Sequence, residues 1–126
     1  MREILFRGNQ VNDGMWIQGY LFQCWGRAYI LWGMTNDTPT MHEVKPETIG
    51  QLTGLTDKNG QKIFEGDIIE VDFDNDGPTI GKQKAFIEYS QHYTAFMVRP
   101  IKDWAFCEMT EGKIIGNIHD NPELLT

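Results

Sequence analysis

Residues 57–67 read DKNGQKIFEGD, and the way this stretch turns decides how the chain on either side is read. Asp57-Lys58-Asn59-Gly60 has the chemistry of a type I turn closed by a left-handed glycine. The Asp57 carboxylate can accept backbone N–H groups two residues on, and Gly60 takes a positive φ with no Cβ to clash. The flanking residues then read as two hairpin strands. IGQLTGLT (49–56) is the incoming one, and QKIFEGDIIEVDF (61–73) is one long extended segment leaving the turn. Gly66 inside that segment predicts a bulge or sharp bend. Ile63 and Ile68 require one if both enter the core from the same face, because a plain strand puts oddly spaced residues on opposite faces. Burial of the strand on both faces is the alternative.

Working outward, the chain reads as strands almost throughout. REILFR (2–7) serves as a first strand, and Asn12-Asp13-Gly14 is a turn. MWIQGYLFQC (15–24) and AYILW (28–32) pair across a turn at Trp25-Gly26-Arg27. Residues 34–48 hold Pro39 and Pro46 among Thr, Asp and Asn, and read as a long loop with at most a short extended piece at His42 to Val44. On the other side, AFIEYS (85–90) and TAFMVRPI (94–101) pair across a turn at residues 90–93. Trp104 to Met109 continues the sheet and GKIIGNI (112–118) closes it. In the tail, Asn121 takes an N-cap position with Pro122 at the first helical residue, which predicts one helical turn. About eight short strands at spacings near ten residues predict an all-β fold. The expected form is a small barrel or sandwich with long loops, less than about 20% helix, and a single domain over residues 1–126.

Composition agrees with a folded globule. A chain of 126 residues buries about 65% of its unfolded surface. Four Trp, four Tyr and seven Phe exceed what a disordered chain carries. No apolar run approaches a membrane span, and MREILFRGNQ has no signal-peptide h-region, so the expected location is the cytoplasm. Eleven basic against eighteen acidic residues give −7, which lacks the electrostatic footprint of a nucleic-acid binder. Cys24 and Cys107 read as buried free thiols in a reducing compartment.

Each chemical motif has a plainer structural reading beside it. Asp72-Phe73-Asp74-Asn75-Asp76-Gly77 matches the first six positions of a calcium loop, but position 12 is Gln83 in place of a bidentate Glu and no helix flanks it. An acidic hairpin tip at Asp72, Asp74 and Asp76, with weak divalent binding at most, is the reading that stands. His42, His92 and His119 share no ligand spacing with each other or with the cysteines. Glu65 and Asp67 project from one face of an extended strand, where paired carboxylates can do acid–base work. Backbone bonding at the Gly66 bend explains them as well. Trp25, Tyr29 and Trp32 lie around one hairpin with Arg27 at its turn. Such a patch stacks bases, fills a core, or makes an interface. No catalytic, cofactor-binding or metal-ligating residue is assigned.

The segment from Val44, VKPETIGQLTGLTDKNGQKIFEGDIIEV, resembles the signature of the YopX-like family, small proteins of bacteriophages and prophages. REILFRG is similar to that family's opening, and IIGNIHDNPELL to its closing segment. The resemblance implies an all-β fold and a phage or prophage accessory protein, in a family whose function is largely unassigned. It carries over no catalytic residue. The expected function is non-enzymatic, through protein–protein contacts in the cytoplasm of the bacterial host, with an unidentified phage or host protein as partner and a homo-oligomer as the expected state. A nucleic-acid-associated small-barrel module and an enzyme without a recognisable motif are the alternatives.

Overall fold

The structure, a computed structural model, describes residues 3–72, 82–92, 94–99 and 112–125. Among these, ten strands form two antiparallel sheets, neither closed on itself, and the helical content is two short 3-10 turns at Pro46–Thr48 and Pro122–Leu125. The chain is thus predominantly β, as its turn-punctuated strands predict. By contact it divides into two compact units, residues 1–52 and 53–126.

The first unit contains β1 (Phe6–Asn9), β2 (Trp16–Cys24), β3 (Arg27–Thr35), β4 (Thr38–Val44) and the start of β5 (Gly50–Thr56). Their spatial order is β4-β3-β2-β1-β5. The first strand occupies residues 6–9 in place of the expected 2–7; Arg7 pairs with Gln18 on one side and Gly50 on the other. β4 corrects the reading of 34–48 as loop. Asn36 and Asp37 have φ of +52° and +64°, the conformation of a two-residue hairpin turn, and the chain returns at once as a strand. Pro39 is accommodated because β4 lies at the sheet edge, where a missing N–H leaves no ladder bond broken. One sheet face is closed by Ala28, Ile30 and Val44, with Phe6, Ile17, Leu21 and Ile49 packed against them. Thr48 ties the 3-10 turn to β1: its Oγ1 accepts from the Asn9 N–H at 3.0 Å and donates to the Lys45 carbonyl at 2.6 Å.

The second unit continues β5 into the Asp57–Gly60 turn and β6 (Lys62–Phe64), where Thr53 Oγ1 donates to the Ile63 carbonyl at 2.7 Å. Residues 61–73 are not one extended segment. Glu65 and Gly66 form a turn, with Gly66 at φ +93°, and the chain passes from β6 into β7 (Asp67–Asp72) of the other sheet. That sheet has the order β10-β7-β8-β9, with β8 at Lys82–Ser90, β9 at Ala95–Arg99 and β10 at Lys113–Asn117. Ile63 and Ile68 are both fully buried but do not share a face. Ile63 packs with Ile69 and Val71, and alternation along β7 turns Ile68 the other way, so burial of that strand on both faces is the outcome. Ile63, Ile69, Val71, Ala85, Ile87 and Val98 form the core, with Leu55, Phe96 and Ile114 against it. Phe73, Asp74, Asp76, Cys107 and the expected strand at 104–109 lie outside the described residues.

Candidate functional site

Strand β2 is apolar on both faces, and only one of them is buried. Ile17 and Leu21 point into the cluster of Ala28, Ile30 and Val44. Strand alternation turns Trp16, Tyr20, Phe22 and Cys24 the other way. Register carries this second face across the sheet. Tyr20 lies opposite Leu31, Phe22 opposite Tyr29, and Cys24 opposite Arg27; Leu31 then faces Met41, and Tyr29 faces Glu43. Tyr20, Phe22 and Met41 are all exposed. The Phe22 and Tyr29 rings lie 6.2 Å apart at 49°, and the Arg7 guanidinium sits 5.1 Å from the Trp16 ring centroid. At this distance the cation is held by the ring's negative face.

At the end of this face the β2–β3 turn is Trp25-Gly26, with φ of +49° and +78°. Two positive φ values in a two-residue loop define a type I′ turn, whose first position favours Asn, Asp or Gly. A bulky side chain there is a backbone outlier. Trp25 is 97% exposed, so its indole contributes almost nothing to the fold of the chain that holds it. Beside it Phe22, Cys24, Trp25, Arg27, Tyr29 and Met41 line a groove of about 720 Å³. Among the described residues the side chains of Arg27 and Glu43 form no ion pair.

Of the aromatic trio predicted from sequence, Trp25 and Tyr29 come together and Trp32 does not. Trp32 lies at the β3 irregularity between Leu31 and Gly33 and stacks on His42, with centroids 5.9 Å apart and planes at 19°. Its Nε1–H donates to His42 Nδ1 at 2.9 Å. His42 pairs with Ile30, on the face opposite Tyr29. Phe22 and Met41 take the place of Trp32 in the groove. The alternation of β2 and the pairing of β3 with a strand that sequence reading left as loop were the signals for them. Cys24 is half-buried at the groove, a more open position than a core thiol.

The charged residues of 57–67 serve the backbone. Asp57 is buried, and its Oδ1 accepts from Asn59 and Gln61 N–H groups at 2.9 Å each, while Oδ2 accepts from Ile114 N–H at 3.0 Å. Burial pushes its carboxyl up, but the Ile114, Gln61 and Asn59 donors, with Lys58 nearby, outweigh burial and hold it below the ordinary carboxylate range. Asp67, also buried, accepts from Phe64 N–H through Oδ2 at 2.7 Å across the bend. Glu65 sits half-buried in the bend itself. His119 lies next to Asp120 at a turn whose N–H groups both donate to Asn117 Oδ1. Among the described residues no group of three or more His, Cys, Asp or Glu side chains is placed to hold a metal ion.

These features define an all-β protein with two open sheets, one of which carries an aromatic face left exposed among the described residues. The chain belongs to the YopX protein family, whose model matches residues 5–126. Among solved structures it is similar to the crystal structure of protein EF1440 from Enterococcus faecalis, with 25% identity, a TM-score of 0.63 and all of both chains covered. No curated protein matches the chain.

Proposed function

We propose that this YopX-family chain is a non-enzymatic accessory protein of a phage or prophage, acting through protein–protein contacts in the cytoplasm of its bacterial host. The open face of β2, β3 and β4 is the contact surface. One observation carries this reading: Trp25 stands almost fully exposed in a strained turn, beside Arg27 and Tyr29. Trp, Tyr and Arg are the residues that most often dominate binding energy at protein interfaces. Strain held at an exposed position is itself a reason to look for function there. In support of the location, no helix among the described residues is long and apolar enough to cross a membrane. Arg27 amid aromatics also favours a second reading, a nucleic-acid-associated module, and the net charge of −7 weighs against it.

The test is affinity capture from infected host cells with wild type and with Trp25→Asp. A host or phage protein held by wild type and lost from a folded variant supports the contact surface. Identical capture by both chains refutes it, and a steep salt dependence of oligonucleotide binding turns the reading to the nucleic-acid module.

A further inference from the structure

We infer that the occupant of this face is a second copy of the chain, related by a two-fold axis, with Trp25 of each copy seated in the groove of the other. The inference rests on the proposed contact surface and names its partner. A two-fold interface uses the same patch on both subunits, so the patch must complement itself. This one does so in shape and in charge. Trp25 projects beside a groove of about 720 Å³ lined by Phe22, Tyr29 and Met41, so projection and recess belong to one surface. Arg27 and Glu43 lie on that same face as opposite charges with no ion pair of their own among the described residues. A two-fold turn lets Arg27 of one copy meet Glu43 of the other.

The distribution of charge favours the same occupant. Residues 1–52 carry four Lys or Arg against five Asp or Glu, whereas residues 53–126 carry seven against thirteen. The near-neutral unit can meet its own copy without the repulsion that the acidic unit would bring. A nucleic acid would require a run of cations, and this face offers Arg27 and an Arg7 already engaged with Trp16. Pro39 removes one N–H from the β4 edge, which directs association to the face and away from edge-to-edge strand pairing.

The mass of the full chain in solution tests this. Light scattering at micromolar concentration is expected to give at least twice 14.5 kDa. Trp25→Asp, Arg27→Glu and Glu43→Arg should each return the mass to 14.5 kDa with an unchanged far-UV spectrum. Mixing R27E with E43R should restore the larger mass, since every mixed pair then has both charges matched. That restoration also proves both variants folded. A wild-type chain that stays monomeric, a larger mass that survives Trp25→Asp, or a mixture that fails to reassemble overturns the inference. If wild type is monomeric while Trp25→Asp still loses a captured host protein, the second copy is excluded and the contact surface stands. Salt-steep binding of a single-stranded oligonucleotide by a monomer, lost on Trp25→Asp, overturns both.

Discussion

Two glycine-closed turns in this chain are built to opposite specifications. At Asp57–Gly60 the side chains explain the backbone. Asp57 is buried, satisfies three N–H groups, and leaves Gly60 at φ +82° as the residue that turn requires. At Trp25–Gly26 the side chain explains nothing local. A tryptophan occupies the position that Asn, Asp or Gly would favour, and its ring faces water. A buried charge with all its bonds made is a structural device. An exposed indole on a left-handed backbone costs the chain that carries it some stability, and the proposed contact surface is what would give it a use.

The largest expected effect comes from breaking the first turn. Asp57→Ala leaves the N–H groups of Asn59, Gln61 and Ile114 without their acceptor, in a turn and at the start of β10. We expect a loss of about 2 kcal/mol in urea unfolding, from three charge-assisted bonds removed at part-buried sites where water can replace the acceptor only in part. Asp57→Asn sharpens the attribution. Its single amide oxygen can still accept at the turn, but its NH₂ cannot accept from Ile114, so the loss should be intermediate. Equal stability of wild type and Asp57→Ala would show that the turn is held by its neighbours alone.

The same carboxylate gives a pH signature. Its donors hold its folded pKa below the ordinary value, so the stabilisation is complete above that ordinary value, about 4, and is lost as pH falls through the folded one. Wild type should therefore lose stability on acidification more steeply than Asp57→Ala. The gap between their unfolding midpoints should be full at neutral pH and narrow below about pH 4. A gap that stays constant down to strongly acidic pH would mean that packing, and not the ionised carboxylate, accounts for Asp57.

Gly60→Val asks a smaller question of the same turn. Nothing lies within 4 Å of a Cβ built on Gly60, so the cost is conformational and not steric crowding by neighbours. A β-branched residue at φ +82° should destabilise by about 1–2 kcal/mol, and Gly60→Asn by distinctly less, since Asn tolerates the left-handed region. Equal midpoints for the two variants would contradict the turn assignment.

What could be read in the sequence follows the same division. The Asp57–Gly60 turn was legible because its chemistry is local: the aspartate, the glycine and the donors they serve lie within five residues, apart from Ile114. The predominantly β class was legible for a similar reason, from aromatic and β-branched runs between turn residues. The strand at 38–44 was not, because Pro39 and a run of Thr read as loop, and only the edge position of β4 makes them acceptable. The 61–73 segment reads as continuous because a glycine signals a bend without saying that the chain changes sheets there. For the site, the sequence points to Trp25 and Tyr29, but it groups Trp32 with them in place of Phe22 and Met41. With apolar residues on both faces of β2, alternation separates two sets without saying which is buried, and an irregularity in β3 cannot be counted from sequence.

The smallest expected effect on stability is the most telling about the second turn. Trp25→Asn replaces an outlier with the residue that a type I′ turn prefers, and it removes no buried contact, since the indole is already in water. Replacing a bulky residue on a left-handed backbone by one that tolerates it should raise the unfolding free energy by a few tenths to about 1 kcal/mol, measured in dilute solution so that subunit contacts do not enter. The same substitution should abolish the larger mass expected of wild type. A gain in stability together with a loss of association is the pattern of a residue kept for function at some cost to the fold. If Trp25→Asn instead destabilises the dilute chain by 1 kcal/mol or more, the indole supports its own hairpin. The two turns would then be two versions of one structural device, and the argument that singles out this face would fail with them.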